Sequence, residues 1–403
     1  MKKKVAIIGT VGLPAHYGGF ETLAEHLVDN LSADLDITVY CSGKRYTRDN
    51  RHQTYKGARL IYLPLDANGI QSILYDSLSI LHALLFADVL LILGVSGGFL
   101  LPFVRLFTSK KIIISIDGIE WKRNKWNKYA QLYLWIAEWM AVKFSHADIS
   151  DNEAIQEYTA MRYKSLSNII EYGADHTLKV TPQHDDYEKY PFIREKYAFK
   201  VCRIEPENNL DMVLEAFAEL PAQLLVLVGN WNNSEYGKAL REKYQSAPNI
   251  HMLDPIYDQR TLDVIRGNCA VYIHGHCAGG TNPSLVEAMY LGLPVFAFGV
   301  SYNKATTENK ARYFNNATEL MTSIEQTSDT ELTQLAAVMK TIADRRYNWK
   351  QISNKYAWLI NHVIVQKRKK SLLSKISVGI KNRTLLDMEL GHLQATAVFY
   401  EKR

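Results

Sequence analysis

Short apolar runs alternate with longer amphipathic stretches along most of the chain. Apolar runs of about four to eight residues, bounded by glycine, proline or aspartate, are typical of buried strands, and apolar residues spaced three and four apart indicate helices. Because most of the runs are followed by a helical stretch, the order predicts a parallel sheet covered on both faces. The predicted strands of the N-terminal part are VAIIG, DITVYC, ARLIYLPL, DVLLILG, KIIISID and ADIS.

This alternation lapses after Asp175. The next segment, HTLKVTPQHDDYEKYPFIREKY, is polar and contains two prolines, as linkers between domains often are. A second alternating series then predicts the strands FKVCRI, AQLLVLVGN, NIHMLD, AVYIHGH and PVFAFG.

The pattern therefore predicts an α/β protein with two Rossmann-like, doubly wound parallel-sheet domains. The first domain covers residues 1–175 and a linker covers 176–195. The second domain covers residues 196–347. Residues 348–403 form a C-terminal helix that returns toward the first domain, followed by a basic tail.

Composition agrees with this organisation. At 403 residues and 47% hydrophobic content, the chain can bury two cores. A net charge of +5 is mild for this length, so we expect no nucleic-acid partner. The four cysteines form no CxxC pair, which favours a reduced, cytosolic setting. The N-terminal run VAIIG is too short for the apolar region of a signal peptide.

Two other features lead to negative expectations. The apolar region from Leu78 to Phe107 contains His82, Asp88 and three glycines, so helix, strand and loop fit it better than a membrane span. The HGHC segment has no second ligand pair at a recognisable spacing, and the HDDYE segment lies in the predicted linker, where a solvated run of charges fits better. We therefore expect no metal site.

In doubly wound sheets, ligands bind beyond the carboxyl ends of the strands. The loop after the first strand, GTVGLPAHYGGFETLAEHL, places Gly18 and Gly19 before a helix that begins near Phe20. Glycines permit close approach of a ligand, and amides at a helix start attract anions. The glycine spacing is not the dinucleotide fingerprint, and a purely structural loop is the alternative.

A second loop follows the strand AVYIHGH and leads into the helix SLVEAMYLG. Its threonine, asparagine and proline are typical cap and first-turn residues, so the amides of this tip are expected to face a phosphate. A glutamate one turn further could accept hydrogen bonds from sugar hydroxyls, although a solvated glutamate is the alternative. The candidate donor-binding residues here are Gly279, Gly280, Thr281, Asn282, Ser284, Leu285 and Glu287.

A third candidate is Arg203, at the end of the strand FKVC. Its guanidinium could hold a diphosphate. An exposed surface arginine is the alternative.

Four segments of the chain resemble, in order, the motifs of a branch of glycosyltransferase family 4, which has the GT-B fold. Within that family they are most similar to bacterial rhamnosyltransferases that build cell-wall and capsule polysaccharide. The similarity covers the chain to about residue 365. The segments are GLPAHYGGFETLAEHL, IDGIEWKRNKW, RIEPENN and HGHCAGGTNPSLVEAMYLGLPV.

This resemblance implies a cleft between two Rossmann-like domains, with the nucleotide sugar held mainly by the C-terminal domain and the acceptor by the N-terminal one. It implies no cofactor and no metal, the nucleotide sugar being a substrate. Two positions depart from the family pattern. Gly279 replaces the first of two glutamates, of which Glu287 is the second. Asn208, a further candidate donor-binding residue, replaces a lysine five residues after Arg203.

The resemblance also suggests transfer with retention of configuration, in which a leaving phosphate oxygen helps to remove the acceptor proton. Arg203 and the amides of residues 281–285 would stabilise the leaving diphosphate. Asp117, Asp151 and Tyr172, at apparent strand ends, are candidates for orienting the acceptor or balancing positive charge. Each of these three residues could equally be a cap or turn residue.

A membrane surface is a further expected partner. Trp121, Lys122, Arg123 and Trp126 begin a stretch in which aromatic and basic residues alternate, a mixture suited to a lipid headgroup region. The tail, residues 367–383, has seven basic residues and no acidic one, which favours an anionic surface. An aromatic face buried in the core and a solvated tail are the alternatives.

Together, these features predict a cytoplasmic hexosyltransferase attached peripherally to the inner face of the membrane. It would move rhamnose from dTDP-rhamnose to a polyprenyl-diphosphate-linked saccharide. A nucleotide-sugar epimerase of the same shape and a noncatalytic subunit that binds a sugar nucleotide are the alternatives. A NAD-dependent oxidoreductase fits less well, because the glycine spacing is wrong.

Overall fold

The computed structural model describes residues 2–15, 18–116, 118–123 and 126–366. These residues form two compact units. The first unit contains the described residues up to Glu171 and those from Trp349 onward, and the second contains Tyr172–Asn348. Residues 176–195, for which the sequence predicts a linker, lie in the second unit and include a short helix.

The first unit begins with alternating strands and helices. All six strands predicted for this part are present. The two additional strands, each of two residues, are too short to give a recognisable alternation. The elements are β1 (Lys3–Ile8), α1 (Gly19–Leu31), β2 (Leu35–Ser42), β3 (Thr54–Tyr55), β4 (Ala58–Leu63), α2 (Gln71–Ala83), β5 (Val89–Leu93), α3 (Leu101–Phe107), β6 (Lys111–Ile116), α4 (Lys128–Phe144), β7 (Ala147–Ser150), α5 (Glu153–Tyr163) and β8 (Asn168–Ile169).

These strands form one sheet in the order β3-β4-β2-β1-β5-β6-β7-β8, and only the β3–β4 pair is antiparallel. The chain moves in one direction along the sheet from β1 to β2 and in the opposite direction from β4 through β8. Since parallel crossovers are right-handed, α1 covers one face of the sheet, and α2, α3, α4 and α5 cover the other. The central strand β1 is fully buried at Ala6 and Ile8.

The second unit repeats this alternation around its own sheet. All five predicted strands are present, and one additional short strand closes the sheet edge. The elements are α6 (His184–Lys189), β9 (Tyr197–Val201), α7 (Leu210–Ala218), β10 (Leu224–Val228), α8 (Glu235–Tyr244), β11 (Ile250–Leu253), α9 (Gln259–Gly267), β12 (Val271–His274), α10 (Pro283–Tyr290), β13 (Val295–Phe298), α11 (Ser301–Thr306), β14 (Arg312–Phe314), α12 (Ala317–Gln326) and α13 (Asp329–Arg346).

The second sheet has the order β11-β10-β9-β12-β13-β14, and every pair is parallel. From β9 the chain runs outward to β10 and β11, and it then returns to β12 on the other side of β9. The strand order therefore reverses between β9 and β12. In open α/β sheets a crevice opens at such a reversal, beyond the carboxyl ends of the strands.

A last helix, α14 (Trp349–Val365), belongs to the first unit. The Trp349 ring stacks on His26 of α1 with 4.2 Å between ring centroids. Lys355 pairs with Glu171 at the end of the N-terminal segment. Helix α14 therefore lies on the α1 face of the sheet, opposite α2 through α5.

The apolar region Leu78–Phe107 is divided between the end of α2, strand β5 and helix α3. Across the described residues, no helix combines the length and the hydropathy that crossing a bilayer requires.

Helix α2 carries one buried carboxyl group. Asp76 is 3% exposed, and its Oδ1 has no hydrogen-bond partner among the described residues. Burial raises the pKa of Asp76 to about 8. The folded protein therefore holds a proton that the unfolded chain releases near pH 4.

We expect the Asp76→Asn variant to be more stable than the natural protein at neutral and alkaline pH. Between about pH 4 and pH 8 the natural protein binds more protons when folded, so its stability falls as the pH rises, and the amide lacks this dependence. The gain should reach a few kcal/mol at pH 8, at about 1.4 kcal/mol for each unit of pKa difference, and vanish near pH 4. Thermal unfolding at pH 4, 6 and 8 measures it.

The matched control is Asp34→Asn, because Asp34 lies exposed in the turn after α1. It should leave the pH dependence of unfolding unchanged. A stability difference between Asp76→Asn and the natural protein that is the same at all three pH values would contradict the buried, protonated carboxyl.

Candidate functional site

Two loops meet at the reversal between β9 and β12. They are residues 202–209, after β9, and residues 275–282, after β12. The Asn209 side-chain amide donates to the Gly275 carbonyl over 2.8 Å, and the Cys277 amide donates to the Glu207 carbonyl over 2.9 Å. A Cβ at Gly275 would lie 2.5 Å from the Asn208 carbonyl oxygen, so this close approach requires glycine.

Asn208, a predicted donor-binding residue, braces these loops. It is 3% exposed, its Nδ2 donates to the Arg203 carbonyl over 2.9 Å, and its Oδ1 lies 2.9 Å from His276 Nδ1. With the amide nitrogen committed to Arg203, the amide oxygen accepts from the protonated Nδ1 of the histidine. The side chain that stands in place of the family's lysine therefore fixes the two loops to each other.

Helix α10 begins where the sequence predicts. Asn282 is its N-cap residue and Pro283 its first residue. The Ser284 amide donates to Asn282 Oδ1 over 3.1 Å, and the Leu285 amide donates to the Asn282 carbonyl over 3.1 Å. These two amides, expected to face a phosphate, are therefore already used by the cap.

The amides of Gly280 and of the cap residue Asn282 are the better hydrogen-bond donors for an anion. In the described part of the chain, those of Gly280 and Asn282 have no protein acceptor. Gly279 has φ +102°, a conformation that side-chain-bearing residues rarely adopt. The backbone at residue 279 thus favours glycine where the family pattern has a glutamate.

Glu287 lies in an ionic cluster inside the second unit. Its Oε2 accepts from the guanidinium of Arg266, and its Oε1 lies 3.2 Å from His176 Nε2. Burial alone would raise the pKa of Glu287, but the charges of Arg266 and His176 outweigh it and lower this pKa to about 2. The carboxylate is therefore ionised at any working pH. It is 15% exposed, so it is not a solvated surface glutamate.

Arg266 holds this cluster together. The guanidinium is 1% exposed, and it also donates to Asp263 over 2.9 Å. A buried charge of this kind must be paired. The sequence reasoning missed Arg266, Asp263 and His176 because they come from α9 and from the segment before α6, far from Glu287 along the chain.

Arg203 is 43% exposed and follows β9. Glu205 and Glu207 flank its guanidinium, each at 3.6 Å. The arginine therefore lies beside the loop pair with its charge only loosely compensated, so a stronger anion could compete for it.

A second cation, Lys200, was not predicted. It lies on β9 and is 1% exposed, and its Nζ is 3.2 Å from the position that a Gly275 Cβ would take. Burial lowers the pKa of Lys200, and Cys202 and Cys277 partly oppose this effect. No carboxylate pairs with it among the described residues. An apolar run containing one lysine gives little signal for a buried cation.

In the first unit, Gly18 is the N-cap residue of α1 and Gly19 its first residue. The side chain of Glu21 occupies this helix tip. Its Oε1 accepts from the Val11 amide over 2.6 Å, and its Oε2 lies 1.9 Å from the position of a Gly18 Cβ. Burial raises the pKa of Glu21 against the effect of that bond. A phosphate at this tip would meet a carboxyl group, which the sequence reasoning did not foresee.

The structure describes two of the three predicted catalytic residues of the N-terminal part. Asp117 lies outside the described residues. Asp151 follows β7 in the first unit, next to Asn152, which caps α5. Tyr172 is 8% exposed and opens the second unit.

Most of the predicted membrane residues are partly buried and form hydrogen bonds within the first unit. Trp121 Nε1 donates to the Tyr158 hydroxyl, and Trp126 Nε1 and the Arg123 guanidinium each donate to Glu120, all over 2.9 Å. Of the four residues only Lys122 is exposed. The basic tail, residues 367–383, lies outside the described residues.

Two family matches divide the chain in the same way as its two sheets. Residues 2–175 match a domain of unknown function, DUF1972, and residues 185–339 match the family described as glycosyl transferases group 1. Among curated proteins, none matches the chain in sequence.

Solved structures are similar over nearly the whole chain. Sucrose-phosphate synthase from Thermosynechococcus elongatus is 16% identical, with a TM-score of 0.75 over 90% of this chain and 99% of that one. Anabaena HepE in complex with UDP is 16% identical, with a TM-score of 0.67 over 90% and 100%. The catalytic domain of Arabidopsis thaliana starch synthase IV, bound to ADP and acarbose, is 12% identical, with a TM-score of 0.66 over 91% and 100%.

At these identities the structural similarity establishes the fold, which is that of GT-B glycosyltransferases. The rhamnosyltransferase branch is not among these matches. The chain thus has the fold of GT-B glycosyltransferases, with a DUF1972 match over its N-terminal part and a match to glycosyl transferases group 1 over its C-terminal part.

Proposed function

We propose that this protein is a hexosyltransferase that moves rhamnose from dTDP-rhamnose to a polyprenyl-diphosphate-linked saccharide at the inner face of the cytoplasmic membrane. The observation that carries the transfer activity is the pair of joined loops at the strand reversal of the glycosyltransferase group 1 domain. The choice of rhamnose and of a lipid-linked acceptor follows from the sequence motifs.

The chemistry of the loops supports a nucleotide diphosphate as the ligand. The amides before the α10 cap, the loosely compensated Arg203 and the buried Lys200 all favour a group with two or more negative charges. HepE has been solved with UDP-glucose and starch synthase IV with ADP. A nucleoside-diphosphate sugar as the ligand of this chain is consistent with both complexes.

Transfer breaks the bond between the sugar C1 and the diphosphate oxygen and forms a bond from C1 to the acceptor hydroxyl oxygen. The electron pair of the broken bond stays on the diphosphate, which also takes the hydroxyl proton. Cations and amides around that diphosphate stabilise the charge that develops on it. With attack on the face from which the diphosphate departs, the configuration at C1 is retained.

Glu287 would accept hydrogen bonds from sugar hydroxyls of the donor. Its low pKa keeps it an acceptor, and Arg266 fixes its position. Among the candidates of the N-terminal part, Asp117, Asp151 and Tyr172 stay assigned to orienting the acceptor or balancing charge at C1.

The proposed reaction predicts specific products. Full-length protein incubated with dTDP-rhamnose and a polyprenyl-diphosphate saccharide should yield dTDP and a lipid saccharide heavier by one deoxyhexose, with the anomeric configuration of the donor. Mass spectrometry and NMR measure these products, and UDP-glucose and ADP-glucose serve as competing donors. Release of nucleotide without glycosylated lipid would contradict a transferase. Conversion of the donor to an isomer would instead indicate an epimerase.

Replacing Glu287 should weaken donor binding and lower stability. The Glu287→Gln variant should bind the donor at least about tenfold more weakly, because an amide is a weaker acceptor than a carboxylate. It should also be less stable above about pH 4.5, where the natural side chain is ionised when folded and when unfolded. This difference should shrink as the pH falls from about 4.5 toward 2. Calorimetric titration with donor and unfolding curves measure the two effects.

The matched control is Asp263→Asn, which breaks the other ion pair of Arg266 and leaves Glu287 in place. It should cost a similar few kcal/mol of stability, as broken buried pairs do, with a smaller loss of donor affinity. Equal losses of affinity in both variants would reduce Glu287 to a structural role.

Replacing Lys200 should weaken binding of the nucleotide diphosphate without lowering stability. The Lys200→Met variant should bind dTDP at least about tenfold more weakly while its melting temperature is unchanged or higher, because a buried amine without a carboxylate partner is removed. Lys196→Met is the control, since Lys196 is 77% exposed and lies four residues earlier. Unchanged dTDP affinity in Lys200→Met would exclude this lysine from the phosphate site.

A further inference from the structure

The first unit exposes an unusual number of large apolar side chains on three helices. Ile70, at the start of α2, and Leu85, just after it, are 82% and 80% exposed, and Leu106 of α3 is 75% exposed. We call the set the α2–α4 apolar face. Its members are Ile70, Leu74, Leu78, Leu81, Leu85, Phe103, Leu106, Phe107, Tyr129, Leu132, Trp135 and Trp139.

Helix α2 shows that this exposure is not incidental. A helix on the surface of a globular protein normally turns a polar or charged face to water. Between residues 67 and 87 the one acidic or basic side chain apart from His82 is Asp76, and it is buried. The exposed leucines recur at spacings of three and four, so the outward side of α2 is as apolar as its inward side.

The three helices form one surface because they cover the same face of the sheet, as the handedness of the crossovers requires. The residues between them connect them directly. Ser96 lies between α2 and α4: its hydroxyl is 3.1 Å from that of Ser72, and its carbonyl accepts from the Tyr133 hydroxyl over 2.7 Å. Helix α3 packs against α4.

The exposed charges on these helices are of one sign. The acidic side chains, Asp76 and Glu138, are 3% and 0% exposed. The basic ones, Arg105, Lys128 and Lys143, are partly or fully exposed, and the Lys143 ammonium lies 4.6 Å from the centre of the Trp139 ring. The apolar face is therefore bordered by cations and by aromatic rings.

We propose that the α2–α4 apolar face inserts into the boundary between headgroups and acyl chains of an anionic bilayer. Apolar side chains, flanking cations and interfacial tryptophans are the features that hold a helix in that boundary. A second copy of the chain is a poorer occupant, because a symmetric contact would bring cations against cations. The proposal rests on the proposed function in one respect: the lipid-linked acceptor is the reason that the protein would need to bind a membrane.

This surface differs from the one expected from the sequence. Trp121 and Trp126 are only partly exposed and each donates a hydrogen bond within the first unit, and α2 and α3 supply most of the exposed apolar side chains. The aromatic end of α4 joins them through Trp135 and Trp139.

Binding of the full-length protein to vesicles tests the proposal. The variant combines Leu74→Gln, Leu78→Gln and Leu85→Gln, three exposed positions whose replacement leaves the core intact. With vesicles of phosphatidylglycerol and phosphatidylethanolamine, the bound fraction should correspond to at least about tenfold weaker partitioning than that of the natural protein. The loss should persist at 0.5 M salt (about 4 Å screening length), where contacts made by charges alone are suppressed.

The control combines Trp358→Gln and Tyr257→Gln, which remove exposed aromatic side chains, 61% and 72% exposed, from α14 and from the second unit. It should change partitioning by less than about twofold. Brominated lipids should quench the tryptophan fluorescence of the natural protein, and a Trp135→Phe, Trp139→Phe variant should lose most of this quenching.

Three outcomes would overturn the proposal. One is equal partitioning of the leucine variant and the natural protein. Another is a dimer of the natural protein that the leucine variant abolishes while vesicle binding is unchanged, which would assign the face to a second copy. The third is no quenching by brominated lipids.

The glycosyl-transfer proposal is tested separately. With a water-soluble, short-chain acceptor the leucine variant should keep the rate of the natural protein, and with acceptor embedded in vesicles it should lose rate in proportion to binding. Vesicle binding without any transfer would reject the proposed reaction and leave the docking surface standing.

Discussion

The second unit depends on the neutralisation of one buried guanidinium. Arg266 is 1% exposed, so removing either of its carboxylate partners would leave a charge in a medium that solvates it poorly. Asp263 lies on its own helix, but Glu287 comes from α10, so the requirement for pairing ties the end of α9 to the start of α10. The same ion pair fixes the orientation of the one acidic side chain that follows the loop of residues 275–282. A demand of folding therefore also positions a candidate ligand contact.

The loops at the strand reversal follow a similar logic. The carbonyl of Asn208 and the backbone at Gly275 approach so closely that no side chain fits, and the Asn208 amide uses both of its ends within the protein. A flexible lysine at residue 208 could not make both hydrogen bonds. The replacement of a family lysine by asparagine thus exchanges a mobile cation for a rigid brace, and the buried amine of Lys200 lies close to the same loops. The departures from the family pattern at residues 208 and 279 have physical causes in the local backbone.

The sequence predicts those features of this fold that depend on local periodicity. All eleven predicted strands are present, and the asparagine and proline that begin α10 do so as their capping chemistry requires. Strands β3 and β8 have two residues each, which is too short for any period to appear. The site was harder to predict, since Glu287 depends on partners about 20 and 110 residues away along the chain.

The sequence predicted only in part which backbone amides are available to bind an anion. Long-range contacts and local side chains both decide this, and neither is visible in the motifs. An amide that looks free in a sequence can be taken by a neighbouring side chain, as the Ser284 amide is by Asn282 and the Val11 amide is by Glu21. Glycine content and helix position do not reveal this competition. A similar limit applies to α2, because the sequence pattern does not show which side of an apolar helix is left exposed.

The position of the α2–α4 apolar face within the first unit has a geometric consequence. Helices that cover a parallel sheet run roughly along its strands, so a bilayer that receives these helices lies parallel to the plane of the sheet. The carboxyl ends of the strands then point along the membrane surface rather than away from it. Asp151, at the end of β7, would lie close to the level of the headgroups, where the first sugars of a lipid-linked saccharide emerge. A docking face on the opposite side, with α1 and α14, would give the strand ends the same height, but among the residues that the structure describes the exposed apolar side chains there are too few to hold it.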